Sequence, residues 1–398
     1  MFDFFILIAV AVLFYVIIPG LGAIQVRRQW RNFRYTLVES SLFPLLDLAP
    51  HSKNPGDKIR FFGYLEAIEE DSIIWVRKDK NAIAVDMSSA SIYFLPSGDL
   101  LEDQEVLENN KENIIDEMPV RIEWRRISSL PEGSKIYVSG TVFVENGREL
   151  LKPAEDTPLL VIFYDAAEES FFRRSIWGGR QKNEYWNYLT PVSLVAGFFS
   201  LLILSSIFVQ NPLARQLFIV SLVFCILPLL TVLPPGGMFY LVYRRLWKEG
   251  RLFRAERDLF AFSLRYFDDN MEESCDRAET ILPNGERYVM RPLVQDRKIL
   301  PLETGFHFRS TRIIAQESMT CDHIYVFGKP QVRNSVEWFV KPKDPMAEYL
   351  LIPCQPMRLT ALVRSRARRL ERISLFFLLT GVVINSLAAY WVFGLLIR

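Results

Sequence analysis

A chain of 398 residues that is 50% hydrophobic and yet 23% charged has room for two or three domains, with its apolar residues concentrated in blocks. The net charge of +1 excludes a globally basic nucleic-acid binder, so what matters is where the 47 Lys and Arg sit. The four cysteines, Cys225, Cys275, Cys321 and Cys354, are too scattered for a disulfide framework, and a reducing compartment is expected.

A bilayer core roughly 30 Å thick is crossed by about 20 mostly apolar helical residues. Four blocks reach that length, at 1–26, 189–209, 213–243 and 373–398, so the expected fold class is a multi-pass membrane protein with four transmembrane helices. The first is read as a retained span: Met1-Phe2-Asp3 lacks the positive charge of a secretory signal, and the apolar run is too long for one. The third is interrupted by Pro228 and by Pro234-Pro235-Gly236-Gly237. It is read as one kinked helix, the alternative being a span that ends near Leu233 with Met238–Trp247 lying in the interface.

Basic residues set the orientation. Arg27, Arg28, Arg31 and Arg34 follow the first block, and Arg173, Arg174, Arg180 and Lys182 precede the second. Arg244, Arg245, Lys248, Arg251, Arg254 and Arg257 follow the third; Arg364, Arg366, Arg368, Arg369 and Arg372 precede the fourth. The opposite flanks offer only Asp3, Arg215 and Arg398. All clusters then share one side, which places both soluble regions in the cytoplasm, both termini outside and the chain in a cytoplasmic (inner) membrane. Arg364, Arg368 and Arg372 recur at helical spacing with Arg369 beside them, and are candidates to contact anionic headgroups at about 1 kcal/mol each.

Region 27–188 reads as short strands: Lys58–Ile68, Ser72–Arg77, Ala82–Asp86, Ser91–Leu95, Val120–Trp124, Lys135–Val144 and Leu159–Tyr164. Turns such as Gly56-Asp57 and Pro131-Glu132-Gly133 punctuate them, and the spacing predicts a small OB-like barrel or sandwich. The acidic stretch Asp99–Glu117 is read as an inserted, solvated loop. In region 246–372, Glu256–Phe267 suits helix or strand, and Arg287–Arg291 and Ile324–Gly328 suit strands, giving a second cytoplasmic β-rich domain.

Ile-Tyr-Val-x-Gly occurs at Ile136–Gly140 and again at Ile324–Gly328. Val144 and Asn146 follow in the first copy, Val332 and Asn334 in the second; then come Lys152-Pro153 and Lys341-Pro342, a nearby Asp and an apolar strand. The shared order predicts an internal duplication, each copy being span, β domain, span. Gly140 and Gly328 are read as bends or bulges, Asn146-Gly147 as a tight hairpin turn, and Asn334-Ser335 as a longer loop. None of these residues is a chemical group.

Leu130-Pro131-Glu132-Gly133, the strand through Val138 to Gly140, and Asp165–Trp186 leading into a span resemble the membrane-proximal domain of GIDE-type proteins. The likeness covers residues 130–187 and implies a membrane-adjacent β domain used for interaction. The family's mitochondrial ubiquitin ligases add a RING finger. Four Cys and three His are too few for its paired zinc ligands, so ligase activity does not carry over.

The chain has no Walker A loop, Gly-x-Gly-x-x-Gly, Gly-x-Ser-x-Gly or His-Glu-x-x-His. Cys321-Asp322-His323, even with Cys275 or Cys354, matches no zinc spacing and reads as strand. The spans carry hydroxyls and Asn385 without Asp, Glu, Lys or His in their cores, which disfavours an ion pathway. No catalytic residue, metal, cofactor or nucleic-acid partner is expected. The leading reading is a membrane scaffold offering two β domains to a protein partner, to each other or to another copy. The alternative is a component of an envelope- or lipid-related membrane enzyme or transport complex.

Overall fold

The computed structural model describes residues 2–46, 54–69, 72–95, 119–124, 131–145, 147–165, 167–180, 182–210, 214–267, 277–295, 298–309, 313 and 323–396. The stretch Asp99–Glu117, Leu130, Asn146, Cys275, Cys321 and Asp322 lie outside these. Two compact units form, one from 1–32, 183–252 and 365–398, the other from 33–182 and 253–364.

The helices are α1 (Phe2–Ser40), α2 (Glu168–Trp177), α3 (Thr190–Val209), α4 (Arg215–Cys225), α5 (Leu227–Leu230), α6 (Gly237–Ser263) and α7 (Pro356–Leu396). Of these, α1, α3 and α7 are long and apolar enough to cross a membrane, which marks a membrane-associated protein. The expected single kinked third helix is corrected. That block forms α4 and α5, turns through 231–236 and restarts as α6, because prolines there withdraw backbone donors and Gly236-Gly237 follows them.

Pro19 explains the widened turn of α1 at Leu13–Ile17. It has no N–H to offer the preceding turn, and the freed carbonyls find partners elsewhere: Tyr15 O accepts the Tyr185 hydroxyl at 2.8 Å, and Phe14 O accepts Ser193 Oγ. Gly197 of α3 permits this approach, since a Cβ there would come within 2.7 Å of Phe14 and Tyr15. The turn before α6 is closed by Asn385 of α7. Its amide donates to Leu230 O (2.5 Å) and Leu233 O (2.6 Å) and accepts from Gly236 N (2.8 Å).

In the second unit the strands are β1 (Lys58–Ile68), β2 (Ile73–Lys78), β3 (Asn81–Asp86), β4 (Ser91–Phe94), β5 (Val120–Ile122), β6 (Lys135–Glu145), β7 (Arg148–Lys152) and β8 (Leu160–Tyr164). β1 pairs β2, β2 pairs β3, β3 runs parallel to β7, β7 pairs β6, and β6 returns to β1, closing a five-stranded ring. β8, β4 and β5 extend from the first half of β6. Alternate residues of β1, Ile59, Phe61 and Leu65, enter the core with Val76, Val138 and Val142.

The later strands are β9 (Ala278–Ile281), β10 (Arg287–Pro292), β11 (Val294–Gln295), β12 (Lys298–Ile299), β13 (His307–Phe308), β14 (Ile324–Arg333), β15 (Val336–Val340) and β16 (Leu350–Pro353). Several of their pairs match the register of the first sheet, although β9, which pairs β10 over Arg287–Met290, has no counterpart there among the described residues. Ile59 faces Gly140 as Val289 faces Gly328. Val138 faces Val161 as Val326 faces Leu351, and Val142 faces Leu151 as Pro330 faces Phe339. The parallel pair Ser91 and Leu160 corresponds to His307 and Leu350. The parallel run of β3 beside β7 shrinks in the second sheet to one bridge, Leu302 with Phe339.

Two readings of the motif are corrected. Asn334 (φ 50°) and Ser335 (φ 62°) make a two-residue turn between the paired Arg333 and Val336, not a longer loop; both accept the left-handed conformation a tight hairpin needs. The register runs through Gly140 and Gly328 without a bulge. Glycine is required there by close approach, since a Cβ on Gly140 would meet Leu159 Cδ1 at 2.7 Å and one on Gly328 the Phe306 ring at 3.0 Å. The bulge lies instead in β1, between Leu65 and Ala67.

Candidate functional site

The two β subdomains of this unit are joined by a charged clamp. Arg60 lies on β1 between Ile59 and Phe61, so its side chain leaves the face opposite the core, yet it is fully buried. It meets Asp344, which follows β15 and is likewise fully buried. Nη1 donates to Oδ1 at 2.9 Å, Nη2 to Oδ2, and Nε to Phe43 O at 2.7 Å. Asp344 Oδ1 also accepts Met346 N at 2.9 Å, so both charges are enclosed with their hydrogen-bonding groups engaged.

Arg265, just past the end of α6, forms a second tie. Its Nε donates to Ser41 Oγ at 2.8 Å, while its other nitrogens reach Phe262 O (2.7 Å), Tyr266 Oη (2.8 Å) and Met346 O (2.5 Å). Its guanidinium lies 4.3 Å from the Phe172 ring centre, and Phe172 stands edge-on to Phe262 at 4.9 Å. Lys341 completes the contact by donating to Glu169 of α2 at 2.7 Å.

Two carboxylates in the same unit are held by arginines. Asp258 of α6 receives Arg180 and Arg257, with Arg34 at 3.7 Å; burial would raise its pKa, but the three guanidiniums hold it below the usual range. Glu348 receives Arg309 at 2.5 Å and the Ser263 hydroxyl, which likewise outweigh burial and keep it ionised. In the helical unit Glu184 ties α1 to α6, accepting Arg27 at 3.2 Å and Arg251. Arg27, Arg34, Arg180, Arg251 and Arg257, counted in sequence as membrane-flanking charge, are therefore engaged within the protein, as is Arg174 with Asp165 at 3.2 Å.

No protein-family model, curated protein or solved structure matches the chain. The assignment of function rests on geometry.

Arg364, Arg368, Arg369 and Arg372 all lie on α7, exposed, and no described residue pairs with them. Arg28 and Arg31 of α1 and Arg244 and Arg245 of α6 are in the same condition. The motif residues are separated: Lys152 pairs with Glu145 at 2.7 Å beside Pro153, while Lys341, next to Pro342, reaches Glu169. The Lys-Pro steps are also one residue out of register, because Lys152 faces Thr141 where Val340 faces Lys329. Among the described residues no group of three or more His, Cys, Asp or Glu is placed to hold a metal. Cys354 is disulfide-bonded, which runs against the reducing compartment expected from the scattered cysteines; Cys225 is free.

The clamp was not legible in sequence. Arg60 occupies an outward strand position, where a charge normally reads as solvated, and its partner is 284 residues away. The one available signal was the Asp shared by the two copies after Lys-Pro, Asp156 and Asp344. Asp156 pairs with Lys58 at the surface, whereas Asp344 crosses to the other subdomain.

Proposed function

We propose that the chain is an integral membrane scaffold that holds a pair of β domains as one rigid body at a bilayer surface and offers that body to a protein partner or another copy of itself. The observation that carries the reading is the buried Arg60–Asp344 clamp, which with the part-buried Arg265 and the exposed Lys341–Glu169 pair binds the two subdomains by directional contacts. A unit locked in this way is suited to present a fixed surface. The resemblance of residues 130–187 to the GIDE-type membrane-proximal domain points the same way.

The ring order β1-β2-β3-β7-β6, with its parallel β3–β7 contact, supports an OB-like barrel for the first domain. The matched registers of the two sheets support an internal duplication. A recrossing after α3 through α4 to α6 would keep both β subdomains in one unit, and this supports four crossings. The eight exposed arginines on α1, α6 and α7 favour a cytoplasmic β unit, with Arg364, Arg368, Arg369 and Arg372 against anionic headgroups.

The test is affinity purification of the full chain from membranes, with its mass measured in detergent. A stoichiometric partner or a stable homo-oligomer is expected. A monomer that recovers no partner overturns the scaffold reading.

A further inference from the structure

On α1 the exposed residues change from Ile17, Leu21 and Ile24 to Arg27, Arg28 and Arg31, and on α6 from Leu241 and Val242 to Arg244 and Arg245. Tyr188, exposed with Trp186 in the loop before α3, stands at the same level. Its hydroxyl donates to Gln25 Oε1 at 2.7 Å, half a turn before Arg27. An apolar surface that turns basic beside aromatic side chains is where hydrocarbon gives way to headgroups in a membrane-associated chain.

At that level α1 and α6 converge on one carboxylate oxygen. Arg27 donates to Glu184 Oε2 from both Nε and Nη2 at 3.2 Å, and Arg251 donates to the same atom. Arg251 also lies over the Trp247 ring, 4.8 Å from its centre. Helical spacing puts Tyr240, Arg244, Trp247 and Arg251 on one face of α6, leading from the apolar surface to that meeting point. Two guanidiniums against one carboxylate carry a net positive charge. Arg251 is enclosed, whereas Arg27 is 51% exposed, so the accessible charge is that of Arg27. Glu184 takes two of its five N–H groups and fixes the plane of the guanidinium, which makes it a preorganised donor for an oxyanion.

We propose that Arg27, backed by the Arg251–Trp247 stack, holds the phosphate of one membrane phospholipid where α1 and α6 meet. The exposed apolar stripe that ends at Ile24 runs directly into the cation, which suits a phosphate that carries acyl chains rather than a free one. The site rests on the chain's association with a membrane and not on the scaffold reading, since a monomer holds it equally well.

The delipidated full-length protein in detergent is titrated with dioleoyl phosphatidylglycerol and, separately, with dioleoylglycerol, and bound lipid is counted by native mass spectrometry. One saturably bound phosphatidylglycerol is expected, with dioleoylglycerol failing to occupy the site. Arg27→Gln weakens that binding about 10-fold or more and Arg27→Lys less, while Arg148→Gln, exposed on β7, leaves it unchanged. In lipid-free detergent Arg27→Gln melts close to the native protein, because a half-exposed ion pair contributes little and Arg251 still holds Glu184. A loss of binding at that unchanged melting temperature belongs to the missing contact and not to unfolding. The proposal is overturned by the absence of saturable binding, by equal binding of dioleoylglycerol, or by native-level binding in Arg27→Gln. The dioleoylglycerol comparison is made on the native chain and decides the matter whatever Arg27→Gln does to the fold.

Discussion

Arg60 and Asp344 show how far a buried pair departs from a surface one. Both are fully enclosed, so removing one partner leaves an uncompensated charge where water does not reach it. Asp344→Ala is therefore expected to lose about 3–5 kcal/mol, read from the denaturant midpoint of the detergent-solubilised protein. The double change Arg60→Met with Asp344→Leu recovers most of that loss, because neither charge remains. A single variant with the native midpoint would show that the pair is not enclosed. His307 adds a pH dependence of definite sign. Its folded pKa lies near 4 against an ordinary 6.5, so the fold favours the neutral ring. The stability it contributes is whole above pH 6.5 and is lost as pH falls toward 4, because the unfolded chain takes up the proton first. The carboxylates of Asp258 and Glu348, held low by their arginines, give way only at lower pH. His307→Gln should flatten the stability profile between pH 6.5 and 4 and leave the more acidic limb in place. An unchanged profile removes His307 as the cause.

Among the elements, the turn before α6 depends on one side chain. Asn385 answers Gly236 N and Leu230 O, backbone groups that lipid cannot satisfy, and shares Leu233 O with Gly237 N. Asn385→Leu keeps the heavy-atom count and branching but strands Gly236 N and Leu230 O, so a loss of about 1–3 kcal/mol for each unmet group is expected, seen as a lower melting temperature in detergent. Asn385→Ser, which retains a hydroxyl, should fall between the two. Most strands of the first β domain were legible because Ile, Val, Phe and Tyr alternate between turn residues, as in Lys58–Ile68 and Leu160–Tyr164. β7 was missed because Arg148-Glu-Leu-Leu-Lys152 carries no β-branched residue and takes its conformation from the hairpin with β6. The break in the third apolar block was visible in its prolines. Asn385, the residue that makes the break tolerable, lies 149 positions from Gly236 and carried no local signal.

For the molecule as a whole, the shared unit of the two β subdomains constrains topology more than hydropathy does. We expect subdomains clamped through Arg60 and Asp344 to share one side of a bilayer the chain crosses. Two signals then bear on which side that is, and they pull apart. Eight exposed arginines on α1, α6 and α7 favour the cytoplasm, while the Cys354 disulfide belongs in most organisms to an oxidising compartment. The arginines act on insertion itself, and the disulfide forms only after folding, so we expect the arginines to fix the side. Reporter cysteines at the exposed Ser89, Ser335 and Gln210, each in a chain whose native cysteines are replaced by serine, separate the two signals. With a membrane-impermeant maleimide on intact cells, Gln210→Cys should label, whereas Ser89→Cys and Ser335→Cys should stay dark until the membrane is opened. Labelling of both β reporters from outside would invert the orientation and fit the disulfide; labelling of one alone would contradict the shared unit and with it the four-crossing path. The disulfide has its own check in the native chain. With four cysteines and one internal bond, the denatured protein takes up two maleimides before reduction and four after it. Uptake of four without reductant would return Cys354 to the free thiol that its sequence context implied.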